Sequence, residues 1–231
     1  YRPATPKPGD LVAGRYRLEE QLGEGASALV FRATDEALGR DVAVKVLRDS
    51  LAASPEATAR FRAEGRAAAI LAHPNVAAVF DVTAEGEAPA IVMEFVDGED
   101  LASMLRRVGP LVPRRAAAIA AQVARGLAAA HARGIVHRDV SSRNILVSRE
   151  GRAQIADFGI ARALHDVAVG DGARAAEGTP QYIAPEVLAG SPATAASDLY
   201  GLGVVLFELL TGARPTAPGD APSRVRPDTP L

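Results

Sequence analysis

Three residues with oxygen side chains fall within one short stretch. Asn144 stands five residues after Asp139, and Asp157 stands eighteen after it. A carboxylate such as Asp139 can accept the proton of a hydroxyl nucleophile. The amide oxygen of Asn144 and the carboxylate of Asp157 are hard donors. They suit a Mg²⁺ ion that keeps waters and substrate phosphates as its other ligands. Upstream, Lys45 ends the run Val42-Ala43-Val44-Lys45. Its ammonium is a compact cation able to contact phosphate oxygens. Held in a partly buried place it needs an anionic partner, and Glu64 is the candidate. Of 26 basic residues only Lys7 and Lys45 are lysines, a bias toward arginine that singles out Lys45 as a position arginine does not serve. Gly23 and Gly25 form a glycine hairpin that can lay backbone N–H groups over phosphates. Alone that signal is weak, since an ordinary flexible hairpin has the same composition.

These residues need elements to hold them. Residues 1–13 are rich in Pro and Gly and read as a tail. Runs at Tyr16–Leu22, Leu29–Thr34 and Asp41–Leu47 read as strands, with turns at residues 23–27 and 38–40. The glycines therefore lie between two strands, which argues against a dinucleotide-binding fingerprint. Ser54 and Pro55 open a helix to Leu71, with Phe61, Glu64, Ala68 and Leu71 on one face. Val76–Val82 and Ala90–Phe95 read as a strand pair. Helices follow at Leu101–Arg107, Pro113–Ala132 and Ala195–Leu210, the last apolar nearly all round and so a buried core helix. A β-rich first third before a helix-rich remainder predicts an α+β fold in two lobes, residues 14–96 and 97–231. The crevice between lobes is the default ligand site.

Composition closes off other classes. The 231 residues carry a net charge of −2, which gives no electrostatic case for nucleic acid or a polybasic membrane contact. No cysteine is present, which excludes disulfides, thiolate catalysis and cysteine-ligated zinc. No apolar run reaches the roughly 20 residues of a membrane span.

The segments LGEGASALV (22–30), VAVK (42–45), Glu64, HRDVSSRN (137–144), DFG (157–159), GTPQYIAPE (178–186) and SDLYGLGVVLFELLTG (197–212) occur in one order. Together they resemble the eukaryotic-type protein kinases in their bacterial serine/threonine branch, from about Gly14 to Gly212. The resemblance implies a bilobal kinase fold and ATP-dependent transfer of a phosphoryl group to Ser or Thr of a protein substrate, with ATP and Mg²⁺ as cofactors. It assigns phosphate covering to Gly23 and Gly25, phosphate contact to Lys45 and positioning of Lys45 to Glu64. Asp139 becomes the base, and Asn144 and Asp157 the metal ligands. The adenine pocket would comprise Leu22, Val30, Ala43, Met93, Glu94, Val96 and Leu146. Asp198 would brace the catalytic loop. A cytoplasmic portion of a kinase, in some relatives anchored to a membrane, is the location implied.

The pattern also departs from the family. Ala28 replaces the third glycine of the loop. Ser141 stands where serine/threonine kinases carry a lysine, and Arg143 is the cation that can replace it. Residues 160–178 hold no Ser, Thr or Tyr, so the usual loop phosphosite is absent and activation is expected to dispense with it. Residues 213–231 do not match the helices that follow in the family, and the catalytic domain reads as C-terminally incomplete. Glu186 would then lack its usual arginine, and one face of the 199–210 helix would be bare. These departures support an alternative, a pseudokinase acting as a nucleotide-binding regulatory module.

Overall fold

The structure, a computed structural model, describes residues 6–84, 88–158, 180–217 and 219–227. The chain divides into two compact units, residues 1–72 with 77–96, and residues 73–76 with 97–231.

The first unit is a six-stranded antiparallel sheet with two helices. Its strands are β1 (Leu11–Val12), β2 (Tyr16–Glu24), β3 (Ala28–Asp35), β4 (Arg40–Leu47), β5 (Val79–Val82) and β6 (Ala90–Glu94), in the order β1-β2-β3-β4-β6-β5. Strand alternation sorts the side chains by face. Leu18, Phe31, Ala33, Val42, Val44, Val46 and Val92 are buried together on one face. Ala28, Leu47 and Ile91 are buried with Phe61 in a second cluster. That cluster lies under α2 (Pro55–Ala68), which follows the four-residue α1 (Asp49–Ala52). The Ser54 side chain caps α2 by accepting from the Ala57 N–H at 3.2 Å, with Pro55 in its first turn.

Three expectations are corrected here. Residues 7–13 are not merely a tail. Leu11 and Val12 pair with Arg17 and Tyr16, so Lys45 lies on the fourth strand rather than the third. The strand expected from Val76 begins at Val79, because Val76 bridges to Ile155 in the second unit. The helix expected to run to Leu71 ends at Ala68, and its buried residues are Phe61, Arg62, Gly65 and Ala68.

The second unit is mainly helical. It contains α3 (Leu101–Val108), α4 (Pro113–His131), α5 (Pro185–Leu188), α6 (Ala195–Thr211) and α7 (Pro222–Val225), with the small sheet β7 (Gly98–Asp100), β8 (Ile145–Ser148) and β9 (Ala153–Ile155). Glycine is required where β7 meets β8, because a Cβ on Gly98 would stand 2.0 Å from the Val147 carbonyl oxygen. Helix α4 packs on α6 and on β9. Asn75 ties into this core, its amide nitrogen donating to the Ala153 carbonyl at 2.8 Å.

The bare face expected on the 199–210 helix is largely covered. Within it only Leu199 and Gly203 are exposed, while Leu202, Val204, Val205, Phe207, Leu209 and Leu210 are buried. Part of the cover comes from α7, and Arg226 just after it donates to the carbonyls of Leu111 and Leu210. Glu186 is exposed to water, so the cost of burying an unpaired carboxylate does not arise. Among the described residues no helix is long and apolar enough to cross a membrane.

Candidate active site

In the first unit, β4 places Lys45 between Val30 of β3 and Ile91 of β6. Period-two alternation puts it on the face opposite the fully buried Val42 and Val44. Its Nζ stands 3.5 Å from Glu64 Oε1, and the two side chains are only 14% and 13% exposed. The structure thus brings this pair together, shielded enough from water for the charges to matter to each other.

The glycine hairpin joins β2 to β3. Gly23 pairs with Val30, and the Gly25 N–H donates to the Ala28 carbonyl at 2.9 Å. Arg48 braces the turn through the Gly25 carbonyl at 2.9 Å and the Glu24 carboxylate. Ala28 is buried under the sheet, where its methyl group is accommodated. Leu22 is exposed at the end of β2, Ala43 is buried opposite Met93, and Met93, Glu94 and Val96 are half-buried. Leu146 is half-buried on β8 of the second unit, in register with Asp100 and Gln154.

In the second unit the site is built on Asp198. This residue is 2% exposed in the first turn of α6, a helix whose start is fixed by the reciprocal bonds of Thr194 and Ser197. Its carboxylate accepts the backbone N–H groups of His137 and Arg138, both at 2.8 Å, and faces His131 Nε2 at 2.7 Å. Arg138 has φ 69°, a left-handed conformation that a residue with a Cβ adopts at a cost. The two hydrogen bonds to Asp198 hold it there.

His137 is fully buried. Its Nδ1 accepts from the Asp139 N–H at 3.2 Å, so its Nε2, 3.0 Å from the Ala156 carbonyl, carries the proton. One donor and one acceptor describe a neutral imidazole, and burial pushes its pKa down accordingly. The ring packs against Phe158 with centroids 4.6 Å apart. His137 is therefore a strut between the loop and the residue before Asp157, not a proton carrier.

Asn144 joins the oxygen donors. Its Nδ2 donates to Asp139 Oδ2 at 2.9 Å and to the Asp139 carbonyl at 2.8 Å, and its backbone carbonyl accepts from the Ala156 N–H at 2.8 Å. Both amide protons are spent on Asp139, which turns Oδ1 into the atom left to meet a cation. Asp157 follows Ala156 in a left-handed conformation, φ 58°. Among the described residues no three His, Cys, Asp or Glu side chains are arranged to hold an ion. An amide oxygen and a carboxylate fit a Mg²⁺ whose other ligands are water and phosphate. Ser141 is buried and Arg143 exposed, so the only cation between Asp139 and Asn144 points to water.

One cluster was not foreseen in the sequence. Ser142 Oγ lies 2.9 Å from the Tyr182 hydroxyl, which donates to Glu208 Oε2 at 2.5 Å. Burial and the Glu208 carboxylate push the Tyr182 pKa up to about 12. The Arg214 guanidinium lies 5.7 Å from its ring centroid. Nothing in local spacing links residues forty positions apart. The only sequence signal was a hydroxyl in a catalytic-loop motif. Gly159, the 160–178 segment and Thr179 lie outside the described residues.

A family model described as "Protein kinase domain" matches residues 16–227. The serine/threonine-protein kinase PknA of Mycobacterium tuberculosis is 45% identical over 218 residues, covering 92% of this chain and 50% of that protein. PknB of Mycolicibacterium smegmatis is 46% identical over 219 residues, covering 93% and 35%. The chain thus spans about half, or about a third, of the curated relatives it matches. Among solved structures, the PknI kinase domain of Mycobacterium tuberculosis superposes with a TM-score of 0.75 at 32% identity, covering 96% of this chain and 86% of that one.

Proposed function

The chain belongs to the protein kinase domain family and has its fold, and on that premise we propose that it transfers the γ-phosphoryl group of ATP to Ser or Thr hydroxyls of a protein substrate. The observation that carries this reading is the bonded pair of Asp139 and Asn144, which aims a carboxylate and frees an amide oxygen. The Lys45–Glu64 pair at 3.5 Å supports it from the first unit. The similarity to PknA and PknB, both serine/threonine-protein kinases, supports the choice of acceptor.

In this reading Asp139 takes the proton of the acceptor hydroxyl. That oxygen bonds to the γ-phosphorus, the bond to the bridging oxygen breaks, and ADP leaves. Little covalent chemistry falls to the protein, so positioning and charge stabilisation dominate. Lys45 contacts the phosphates, held by Glu64. Gly23 and Gly25 let backbone come close to them. Leu22, Val30, Ala43, Met93, Glu94, Val96 and Leu146 contact adenine. Asn144 and Asp157 would hold Mg²⁺, which neutralises charge on the phosphates. Arg143 supplies the positive charge that Ser141 lacks. The protein works as a cytoplasmic kinase portion.

The test is Mg²⁺-dependent phosphate transfer from ATP to a generic basic protein. Asp139→Asn is expected to lower it by about 10²–10⁴-fold while the protein stays folded. Chelating the metal is expected to abolish it. A folded wild-type chain that binds ATP but transfers nothing would instead support the nucleotide-binding module.

A further inference from the structure

Helix α2 carries Glu64, and something must set the rotation of that helix about its own axis. Successive residues are turned by about 100° on an α-helix. Phe61, Gly65 and Ala68 therefore form one stripe, and Arg62 and Glu64 project from its two opposite sides. The stripe lies on the sheet. A Cβ on Gly65 would stand 2.7 Å from Val82 Cγ2 and 2.9 Å from Ile91 Cγ1, so β5 and β6 touch the helix backbone here. Glu64 reaches to one side, toward Lys45 on β4. Arg62 reaches to the other side, past the edge strand β5.

Arg62 is 7% exposed, unusual for an arginine. Its Nε donates to the Thr83 carbonyl at 3.0 Å and its Nη2 to the Ala84 carbonyl at 2.7 Å. Thr83 is itself steadied. The Thr83 hydroxyl donates to the Ala88 carbonyl at 2.8 Å and accepts from the Ala90 N–H at 2.9 Å. A planar guanidinium gripping two successive carbonyls defines an orientation as well as a distance.

We propose that Arg62 is a positioning residue for the Lys45–Glu64 pair, clamping α2 to the end of β5 so that Glu64 stays turned toward Lys45. With Gly65 as the point of contact and Arg62 fixed on one side, α2 cannot roll without breaking both hydrogen bonds, one buried and one partly buried. The Arg62 clamp itself lies within the first unit. The inference rests on the proposed role of this pair in holding the phosphates of ATP, but its geometry is testable without nucleotide.

The sequence supplies a direct probe, because Lys45 and Lys7 are the only lysines. An ammonium held against a carboxylate acylates slowly compared with one that has lost its partner. Limited acylation followed by mass spectrometry reads Lys45 with Lys7 as internal reference, and equilibrium titration reads ATP affinity. Glu64→Gln is expected to raise the Lys45/Lys7 ratio by about tenfold, and Arg62→Ala to raise it in the same sense by somewhat less. ATP affinity should fall in parallel. The double variant should match Glu64→Gln alone, since Arg62 acts through Glu64. Arg62→Lys, which keeps one of the two carbonyl bonds, should fall between wild type and Arg62→Ala, and serves if Arg62→Ala does not fold. An Arg62 variant that folds and labels like wild type would overturn the inference. So would a double variant whose effects simply add, as expected if Arg62 only stabilises the fold. If the labelling follows the expected pattern but the wild-type chain does not bind ATP, the clamp stands as geometry and the kinase reading fails.

Discussion

Residues from elsewhere in the second unit hold the catalytic loop at His137 and Arg138. Asp198 holds two backbone N–H groups and His131 while almost wholly buried. Asp198→Ala strands those donors, and each buried orphan costs about 1–3 kcal/mol. A loss of roughly 2–5 kcal/mol in urea unfolding is therefore expected, and activity falls with it because Arg138 loses its restraint. His137 yields a pH prediction. Its folded pKa is depressed by burial, below the ordinary value near 6.5. The unfolded chain thus binds a proton that the folded chain refuses. Stability is fully present above about pH 6.5 and falls as pH drops below it. Urea midpoints from pH 5.5 to 7.5 should show this decline, and His137→Phe should flatten it.

Two helix-interior glycines look alike in sequence and should behave oppositely. In α4, a Cβ on Gly126 would stand 2.5 Å from the Asn75 carbonyl oxygen, which is backbone and cannot swing aside. Gly126→Ala is expected to destabilise by about 1–3 kcal/mol. In α6, a Cβ on Gly203 would meet nothing within 4 Å. Gly203→Ala removes unfolded-state freedom at no steric cost and should stabilise by about 0.4–1 kcal/mol. Thermal unfolding of the two variants checks the pair of signs. In α2 helical spacing placed Phe61, Glu64 and Ala68 on one face, but it did not single out Arg62 and Gly65, which are also buried beside Phe61. Spacing alone cannot say which polar residue finds carbonyl partners under a sheet edge.

Over the molecule as a whole, two units each carry a core of their own, and the segment around Arg226 is tied into the second. Arg226 donates to Leu111, 115 residues away, and to Leu210. Both acceptors are backbone carbonyls, so Arg226→Ala should cost about 1–3 kcal/mol, read as a lower urea midpoint. It should also raise binding of a hydrophobic dye, as α7 loosens from the apolar α6. Arg226→Lys should recover part of each effect.

The fold class, the order of strands and helices, and the Lys45–Glu64 pair were legible in the sequence. They depend on local signals: period-two and period-3.6 patterns, Ser54-Pro55 at a helix start, and motif spacing along single loops. What local signals could not reach depends on partners far apart in the chain. Only the tertiary structure joined Leu11 and Val12 to the sheet, set Val76 against Ile155, and linked Ser142, Tyr182 and Glu208. It also decided the place of residues 222–226. A segment without periodicity still covers part of α6, because a single guanidinium can satisfy carbonyls that its own neighbours in sequence never approach.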